Sequence, residues 1–187
     1  MKRRTKQTII LYSVAFVGVT LTLWIGWLWG RERLFYKYSD IEYGLSVKYP
    51  ARWKLVTNPS GSTAVVFVSP LENDLDFFRE NVNITVQDIS KMNITSLNDY
   101  STMIIQQLQM GLYKFIDIQE SKEFFMANLP AYQIIFIGKD PDVTYKLMIA
   151  WTIKGKHAFQ FTFIALESKY DLYMKKVETM MDSVRIK

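Results

Sequence analysis

The feature that most constrains this chain is an uncharged, mostly apolar stretch near its beginning. No Asp, Glu, Lys or Arg lies between Gln7 and Gly30, and residues 9–29 read IILYSVAFVGVTLTLWIGWLW. A helix of these 21 residues is about 32 Å long, which matches a hydrocarbon core of about 30 Å. A secretory signal has a shorter apolar region and a small-residue cleavage site, which WLWGRERLF lacks. The sequence therefore predicts an uncleaved membrane anchor.

Charges on the two sides of this anchor predict its orientation. Basic residues favour the cytoplasmic side, and tryptophans favour the membrane interface. The short tail before the anchor carries four basic residues (Lys2, Arg3, Arg4, Lys6), whereas only two follow the anchor (Arg31, Arg33). Three tryptophans lie near the C-terminal end of the anchor (Trp24, Trp27, Trp29). We therefore expect a single-pass protein of the cell membrane. Its predicted parts are a basic cytoplasmic tail (1–8), a transmembrane helix (9–29), a linker (30–35) and an extracytoplasmic domain (36–187).

One face of the anchor carries small residues every four positions, namely Gly18, Thr22, Gly26 and Gly30. Small residues at this spacing let a second helix approach closely, so this is a candidate helix-packing face. Glycine is also common in membrane helices generally, so the alternative is that the helix only anchors the chain. The expected partners are membrane lipid and either a membrane protein complex or a second copy of the chain.

The charge of the predicted domain argues against nucleic acid as a partner. Six of the 23 basic residues and one of the 18 acidic residues precede Tyr36, so residues 36–187 hold 17 of each. The basic character of the chain therefore comes from the flanks of the anchor rather than from a nucleic-acid-binding patch. The chain has no cysteine, which excludes disulfides, thiolate catalysis and cysteine–zinc sites.

Two-residue alternation of apolar and polar side chains predicts β-strands over much of residues 36–187. In YGLSVKYP, Leu45, Val47 and Tyr49 face one way, and Pro50 ends the strand because proline cannot donate to a sheet ladder. Short turn-rich connections (ANLP, KDPDV, KGK) indicate antiparallel neighbours. The other predicted strands are TAVVFVS (63–69), NVNITVQDI (81–89), KFIDIQES, KEFFM, AYQIIFIG, TYKLMIAWTI, HAFQFTFIAL and a short SVRI.

Helical spacing predicts two helices within the same domain. Ser96 and Asp99 resemble a capping box at the start of the first, and Gly111 is a plausible stop. The second is predicted to begin at Ser168, again with Asp171 three residues later. The apolar stripes are Leu97, Tyr100, Ile104 and Leu108 in the first helix, and Tyr170, Tyr173, Val177 and Met181 in the second. Together these patterns predict an α+β fold, an antiparallel sheet flanked by helices.

The order of these segments resembles the PsbP-like family, which includes the extrinsic photosystem II protein, cyanobacterial and archaeal relatives and the DcrB-type bacterial proteins. The resemblance implies an α/β/α sandwich, with GLSVKYPARW as an early strand ending at Pro50 and Trp53 turned into the core. It spans nearly all of residues 36–187. The matching segments are GLSVKYPARW (44–53), VVFVSP (65–70), VNITVQD, the helix at 96–111, NLPAY (128–132), YKLMIAWTIKGKHAFQFTF (145–163) and MMDSVRI.

Residues suited to catalysis are scarce. His157 is the single histidine, so it cannot form a His-rich metal site, and its expected role is an ordinary one at a sheet edge or interface. No Ser or Thr has an identifiable base beside it, and no nucleotide-binding loop occurs. We therefore predict a protein that is not an enzyme and has no cofactor or catalytic residue.

Two other patterns are candidate sites. The acidic residues Glu72, Asp74, Asp76 and Glu80 form either a solvated loop or a weak cation site, because oxygen ligands must converge to hold a hard cation and the spacing does not match an EF-hand. Asn83 and Asn93 begin Asn-Ile-Thr sequons, which are glycosylation acceptors only if the host glycosylates proteins.

Two functions remain after these exclusions. The first is a membrane-anchored extracytoplasmic accessory or assembly subunit, which docks on a larger membrane protein complex. The second is an ectodomain that binds a ligand or a cation through the acidic loop or a groove between sheet and helix.

Overall fold

The computed structural model describes residues 34–60, 63–111, 115–139 and 142–187, and residues 37–187 form one compact unit. The predicted anchor and its face of Gly18, Thr22, Gly26 and Gly30 lie outside the described residues. No helix in the described part of the chain is long and apolar enough to cross a bilayer.

The described residues form ten strands and two helices longer than one turn. The strands are β1 (Phe35–Asp40), β2 (Leu45–Pro50), β3 (Lys54–Ser60), β4 (Thr63–Val68), β5 (Asn81–Asp88), β6 (Phe115–Met126), β7 (Leu129–Lys139), β8 (Thr144–Lys154), β9 (His157–Leu166) and β10 (Arg185–Ile186). The helices are α1 (Leu97–Gly111) and α2 (Tyr170–Asp182).

Seven strands form one antiparallel sheet in the order β3-β4-β5-β9-β8-β7-β6. The β6–β7 turn consists of Ala127 and Asn128, both with positive φ (54° and 63°). Two-residue hairpin turns with positive φ at both positions are favoured because they match the right-handed twist of the flanking strands. Gly155, with φ 59°, has the same role between β8 and β9. The predicted antiparallel pairing through short turns is confirmed.

A second, three-stranded sheet has the order β1-β2-β10. In it, Arg185 pairs with Ser46 and Ile186 with Leu45, so the end of the chain closes on one of its first strands. Gly44, with φ 60°, lies where a Cβ would come within 3.2 Å of Lys187. The sequence predicted neither β1 nor β3, nor a separate small sheet, so the simple α/β/α sandwich is a partial description.

The two faces of the large sheet are covered differently. Helix α1 covers one face with its predicted stripe, which joins β7 and β8 side chains in a buried cluster. Helix α2 and the small sheet cover the other face, where the Tyr49 and Phe67 rings lie 4.8 Å apart. The α1 cluster contains Tyr100, Ile104, Leu108, Ile134, Phe136, Leu147, Ile149 and Trp151.

Two local predictions are confirmed in detail. The Ser96 Oγ accepts a hydrogen bond from the Asp99 backbone N–H (3.1 Å), and the Ser96 N–H donates to the Asp99 carboxylate (2.9 Å). This reciprocal pair is the predicted capping box with Asp in place of Glu. Trp53 is buried, and its ring lies edge-on to that of Tyr173 with centroids 5.9 Å apart.

Three local predictions are wrong. KFIDIQES and KEFFM form one strand, β6, because an edge strand tolerates exposed charges and a register shift between Ile118 and Glu120. Helix α2 begins at Tyr170 without a side-chain cap, because residues 167–169 form a 3-10 turn that contains Ser168. Met180, rather than Met181, completes its buried stripe.

Candidate functional site

The loop between β4 and β5, residues 69–80, is closed at its base by a buried polar pair. The Ser69 N–H donates to the Glu80 carbonyl (2.8 Å), and the Ser69 hydroxyl donates to the Glu80 carboxylate (3.1 Å). The Glu80 side chain is almost fully buried, at 1% exposure. A buried carboxylate needs such a partner, because an unpaired buried charge is costly. The two ends of the loop are therefore fixed to each other.

The tip of this loop is ordered by its own polar side chains. The Asp76 carboxylate accepts hydrogen bonds from the backbone N–H groups of Glu72 (3.0 Å) and Phe78 (3.3 Å). The Asn73 side chain accepts one from the Leu75 N–H (2.9 Å). These are turn-forming bonds of the Asx type. They hold the loop in one conformation although its sequence is mostly exposed.

Glu72 attaches the loop to the start of α2. One carboxylate oxygen forms an ion pair with Lys169, and the other accepts a hydrogen bond from the Tyr173 hydroxyl at 2.9 Å. The Lys169 and Tyr173 bonds hold the pKa of the Glu72 carboxyl below its usual value. Burial, together with the bond to Glu72, raises the pKa of Tyr173.

Large apolar side chains project from this attached loop into solvent. Leu75 is 90% exposed and Phe77 is 77% exposed, although the loop around them is ordered. Leu172, beside Tyr173 on α2, is also exposed. We call this surface the apolar rim, and its members are Leu71, Leu75, Phe77 and Leu172.

The four acidic residues of the proposed cation site have separate surroundings. Glu72 binds Lys169 and Tyr173, Asp76 caps backbone N–H groups, and Glu80 is buried against Ser69. Asp74 is exposed. Within the described residues, no three His, Asp or Glu side chains are placed to hold one metal ion. Cation binding by this loop stays a prediction.

An open cleft of about 400 Å³ lies beside α1, where the helix leaves part of the sheet face uncovered. One wall comes from α1, β7 and β8 and is apolar apart from Gln107 of α1. The other wall comes from β5 and β9, where Asn83 lies opposite Thr162 and Thr85 lies opposite Gln160. In the described part of the chain, none of these four side chains has a hydrogen-bond partner. The residues that line the cleft are uncharged, and its unused amide and hydroxyl groups lie opposite a mostly apolar wall.

Gln87 and Tyr100 close one end of the cleft. The Tyr100 hydroxyl donates a hydrogen bond to the Gln87 side-chain carbonyl at 3.0 Å. Burial of the ring raises the pKa of Tyr100 to about 12, so this hydroxyl keeps its proton at neutral pH. A bound molecule would meet a fixed, neutral end wall there.

The remaining candidates lie apart from both surfaces or at their edge. His157 begins β9, and its ring lies edge-on to those of Tyr43 (5.8 Å) and Phe159 (6.4 Å), as expected for an ordinary structural histidine. Asn83 points into the cleft from a central strand, and Asn93 lies in the exposed loop before α1. Glycosylation at either asparagine stays a prediction.

Sequence reasoning missed the apolar rim and the polar wall of the cleft. Three of the four rim residues lie in LENDLDFF, whose acidic residues predicted a cation site instead. The polar wall comes from the polar positions of alternating strands, and alternation does not show which part of a sheet face a helix covers.

The chain thus forms an α+β domain with an exposed apolar rim and an uncharged cleft. The chain belongs to the PsbP family, whose model matches residues 33–186. No curated protein sequence matches it.

Solved structures of low sequence identity share this fold. Cyanobacterial PsbP (CyanoP) from Synechocystis sp. PCC 6803 is 17% identical, with a TM-score of 0.57 over 82% of this chain and 92% of its own. LpqN of Mycobacterium tuberculosis, a protein involved in cell envelope biogenesis, is 10% identical, with a TM-score of 0.60 over 83% of this chain and 93% of its own. PA94 from Pseudomonas aeruginosa, of unknown function, is 11% identical, with a TM-score of 0.57 over 80% of this chain and 94% of its own.

Proposed function

We propose that this chain is a membrane-anchored, extracytoplasmic accessory subunit that docks on a larger membrane protein complex through its apolar rim. The observation that carries the proposal is the exposure of Leu75 and Phe77 on a loop that hydrogen bonds hold in place. Exposed apolar side chains on a rigid support are typical of interfaces, because little conformational entropy is lost when a partner covers them. No catalytic role is part of the proposal.

The position of the rim within the domain suits a membrane partner. Strand β2 ends at Pro50, near Trp53, which packs on Tyr173 and thus lies close to the Glu72 attachment. The short turn 41–44 makes β1 antiparallel to β2, so Lys37 lies toward this end. The predicted anchor ends a few residues before Lys37. A protein surface that emerges from the same membrane would therefore be within reach of the rim.

Charge favours a protein over a lipid surface as the occupant of the rim. Asp74 and Asp76 lie among the apolar side chains, and Lys169 already neutralises Glu72. Anionic lipids attract basic segments, so these carboxylates oppose insertion into an anionic bilayer surface. A protein patch with apolar and basic side chains would complement both features. LpqN, which shares the fold, takes part in cell envelope biogenesis, and an accessory role at the envelope agrees with that setting.

The test is affinity purification of the full-length chain in a gentle detergent. We expect the double variant Leu75→Ser, Phe77→Ser to lose its co-purifying membrane protein while it still folds and reaches the membrane. Ile41→Ser is the matched control, because Ile41 is 97% exposed in the turn at the other end of β1 and β2. Equal recovery of the partner with both variants would exclude the rim as the docking surface.

A second candidate function is binding of an uncharged small molecule in the cleft beside α1. The unused hydrogen-bonding groups of Asn83, Thr85, Gln160 and Thr162 favour it. Native mass spectrometry of the purified chain should then show a bound molecule that Thr162→Arg displaces. A chain that is always free of ligand, yet keeps its partner protein, would leave only the accessory role.

A further inference from the structure

A basic cavity of about 370 Å³ lies where the outer face of the small sheet meets the end of α2. It shares no residue with the rim or with the cleft. Strand β1 contributes Lys37, strand β2 contributes Lys48 and strand β10 contributes Arg185. The end of α2 contributes Thr179, Asp182 and Ser183.

The charge of this cavity is unbalanced, although residues 36–187 are neutral as a whole. Three cations line it against one carboxylate, that of Asp182. Across the described ranges, no carboxylate comes within ion-pair distance of Lys37, Lys48 or Arg185. Like charges gathered without counter-ions repel one another, and an anion between them would remove that repulsion.

Among the described residues, the groups that could bind an anion here are the three cations and the Ser46 hydroxyl. The Ser183 hydroxyl is engaged with the Lys48 backbone N–H (2.8 Å) and the Met180 carbonyl (2.6 Å). The Thr179 hydroxyl donates to the Lys175 carbonyl at 2.8 Å. These hydroxyls thus shape the wall and donate nothing further.

Hydrogen bonds within the protein hold the Arg185 side chain in place. Its Nη1 donates to the carbonyls of Asp182 (2.8 Å) and Val184 (2.7 Å), which fixes the guanidinium plane. Within the part of the chain that the structure describes, no hydrogen-bond partner is found for its Nη2 and Nε groups. A guanidinium presents its donors in a fork that suits two oxygens of one phosphate. A side chain that is already immobilised loses little entropy on binding.

We propose that this basic cavity binds a phosphate group, with Lys37, Lys48 and Arg185 as its ligands. The net charge of the lining suits a phosphate of charge −1 to −2, and the cavity has room for one. The phosphate comes either from a phospholipid headgroup or from free phosphate. The headgroup is within reach, because the seven residue-to-residue steps from Gly30 to Lys37 span at most about 25 Å. The proposal does not depend on the rim or on its partner.

The test is titration of the full-length chain in neutral detergent, followed by calorimetry and by the backbone amide NMR shifts of Lys48 and Ser183. The probes are inorganic phosphate, dihexanoyl phosphatidylglycerol, dihexanoyl phosphatidylcholine and dihexanoylglycerol, which has no phosphate. We expect saturable shifts with phosphate-bearing probes and none with dihexanoylglycerol. Tighter binding of the phospholipids than of inorganic phosphate identifies the headgroup as the source, and the reverse order identifies free phosphate.

Variants with opposite expected effects keep the test decisive. Lys48→Gln should weaken binding about fivefold, and Asp182→Asn should tighten it by a similar factor, because each changes one charge at short range. Lys91→Gln is the matched control, since Lys91 is an exposed lysine far from the cavity in sequence. Binding that responds equally to Lys48→Gln and Lys91→Gln, or that Asp182→Asn leaves unchanged, would overturn the proposal. So would the absence of binding by every phosphate-bearing probe.

Discussion

Ser101 provides the sharpest test of how α1 is attached to the sheet. Its hydroxyl donates to the Leu97 carbonyl (2.7 Å) and accepts a hydrogen bond from the indole N–H of Trp151 (2.8 Å). Trp151 is completely buried on the sheet face below the helix. Ser101→Ala would leave that indole N–H without a partner in an environment that water does not reach.

Ser101→Ala has two opposing effects on the free energy of unfolding, and their relative sizes decide whether the variant is more or less stable. Alanine is the better helix former by about 0.5 kcal/mol, which favours the variant. A buried donor left unsatisfied costs about 1–3 kcal/mol, which disfavours it. We therefore expect a net loss of about 0.5–2.5 kcal/mol in the free energy of unfolding.

Thr102 is a matched control on the next residue of the same helix. Its hydroxyl also bonds back to a carbonyl four residues earlier, that of Asn98 (3.0 Å), but the side chain is exposed and contacts no buried donor. Thr102→Ala should therefore be neutral or slightly stabilising.

The assay is urea unfolding of a fragment of residues 34–187, followed by circular dichroism. In a Trp151→Phe background, which lacks the indole donor, the cost of Ser101→Ala should largely disappear. If Ser101→Ala behaves like Thr102→Ala in the wild-type background, the buried hydrogen bond does not stabilise the attachment of α1, and the reasoning fails.

Two further predictions concern the attachment of the rim. Trp53→Ala should reduce the free energy of unfolding by about 3–5 kcal/mol, because the ring is buried against Tyr173; denaturant unfolding measures this, and a change under about 1 kcal/mol would argue against core packing. Glu72→Gln should lower stability by about 0.5 kcal/mol at pH 7, as expected for a partly exposed pair. Because folding lowers the pKa of the Glu72 carboxyl below its ordinary value of 4.5, the stabilisation from Glu72 is fully present above pH 4.5. It is lost as the pH falls through the lower pKa of the folded state. Wild type and variant should therefore converge in acid, and a constant difference down to pH 2 would contradict this assignment.

The sequence predicted the fold best where local pattern and tertiary packing agree. The alternation at Val82, Ile84 and Val86 and the stripe of α1 are strong signals, because each marks a face that is buried along its whole length. The capping box at Ser96 and Asp99 is equally local. These elements can be predicted without knowing which strand or helix packs against them.

The missed elements depend on long-range pairing. SVRI was predicted as a short strand, but its pairing as β10 with β2, a strand about 140 residues earlier in the sequence, was not. Strand β1 has an irregular burial pattern, and an edge position leaves it little periodicity to detect. The start of α2 was misplaced because Ser168 has the right spacing from Asp171 but lies in a 3-10 turn.

The candidate surfaces were harder to predict than the fold. Leu75 and Phe77 resemble core residues in a sequence, and only the ordered, exposed loop shows that they face solvent. Lys37, Lys48 and Arg185 are scattered along the chain and meet only when β1, β2 and β10 pair. Convergence of this kind is a property of topology, so composition and spacing carry no sign of it.

The most direct test of the central claim is photo-crosslinking from the apolar rim in cells of the natural host. A photoreactive residue at Phe77 of the full-length chain should give a discrete adduct with one membrane protein. The same residue at Ile41, equally exposed at the other end of the domain, should give none. Matching adduct patterns at the two positions, or adducts with lipid alone at Phe77, would contradict docking on a membrane protein complex through the rim.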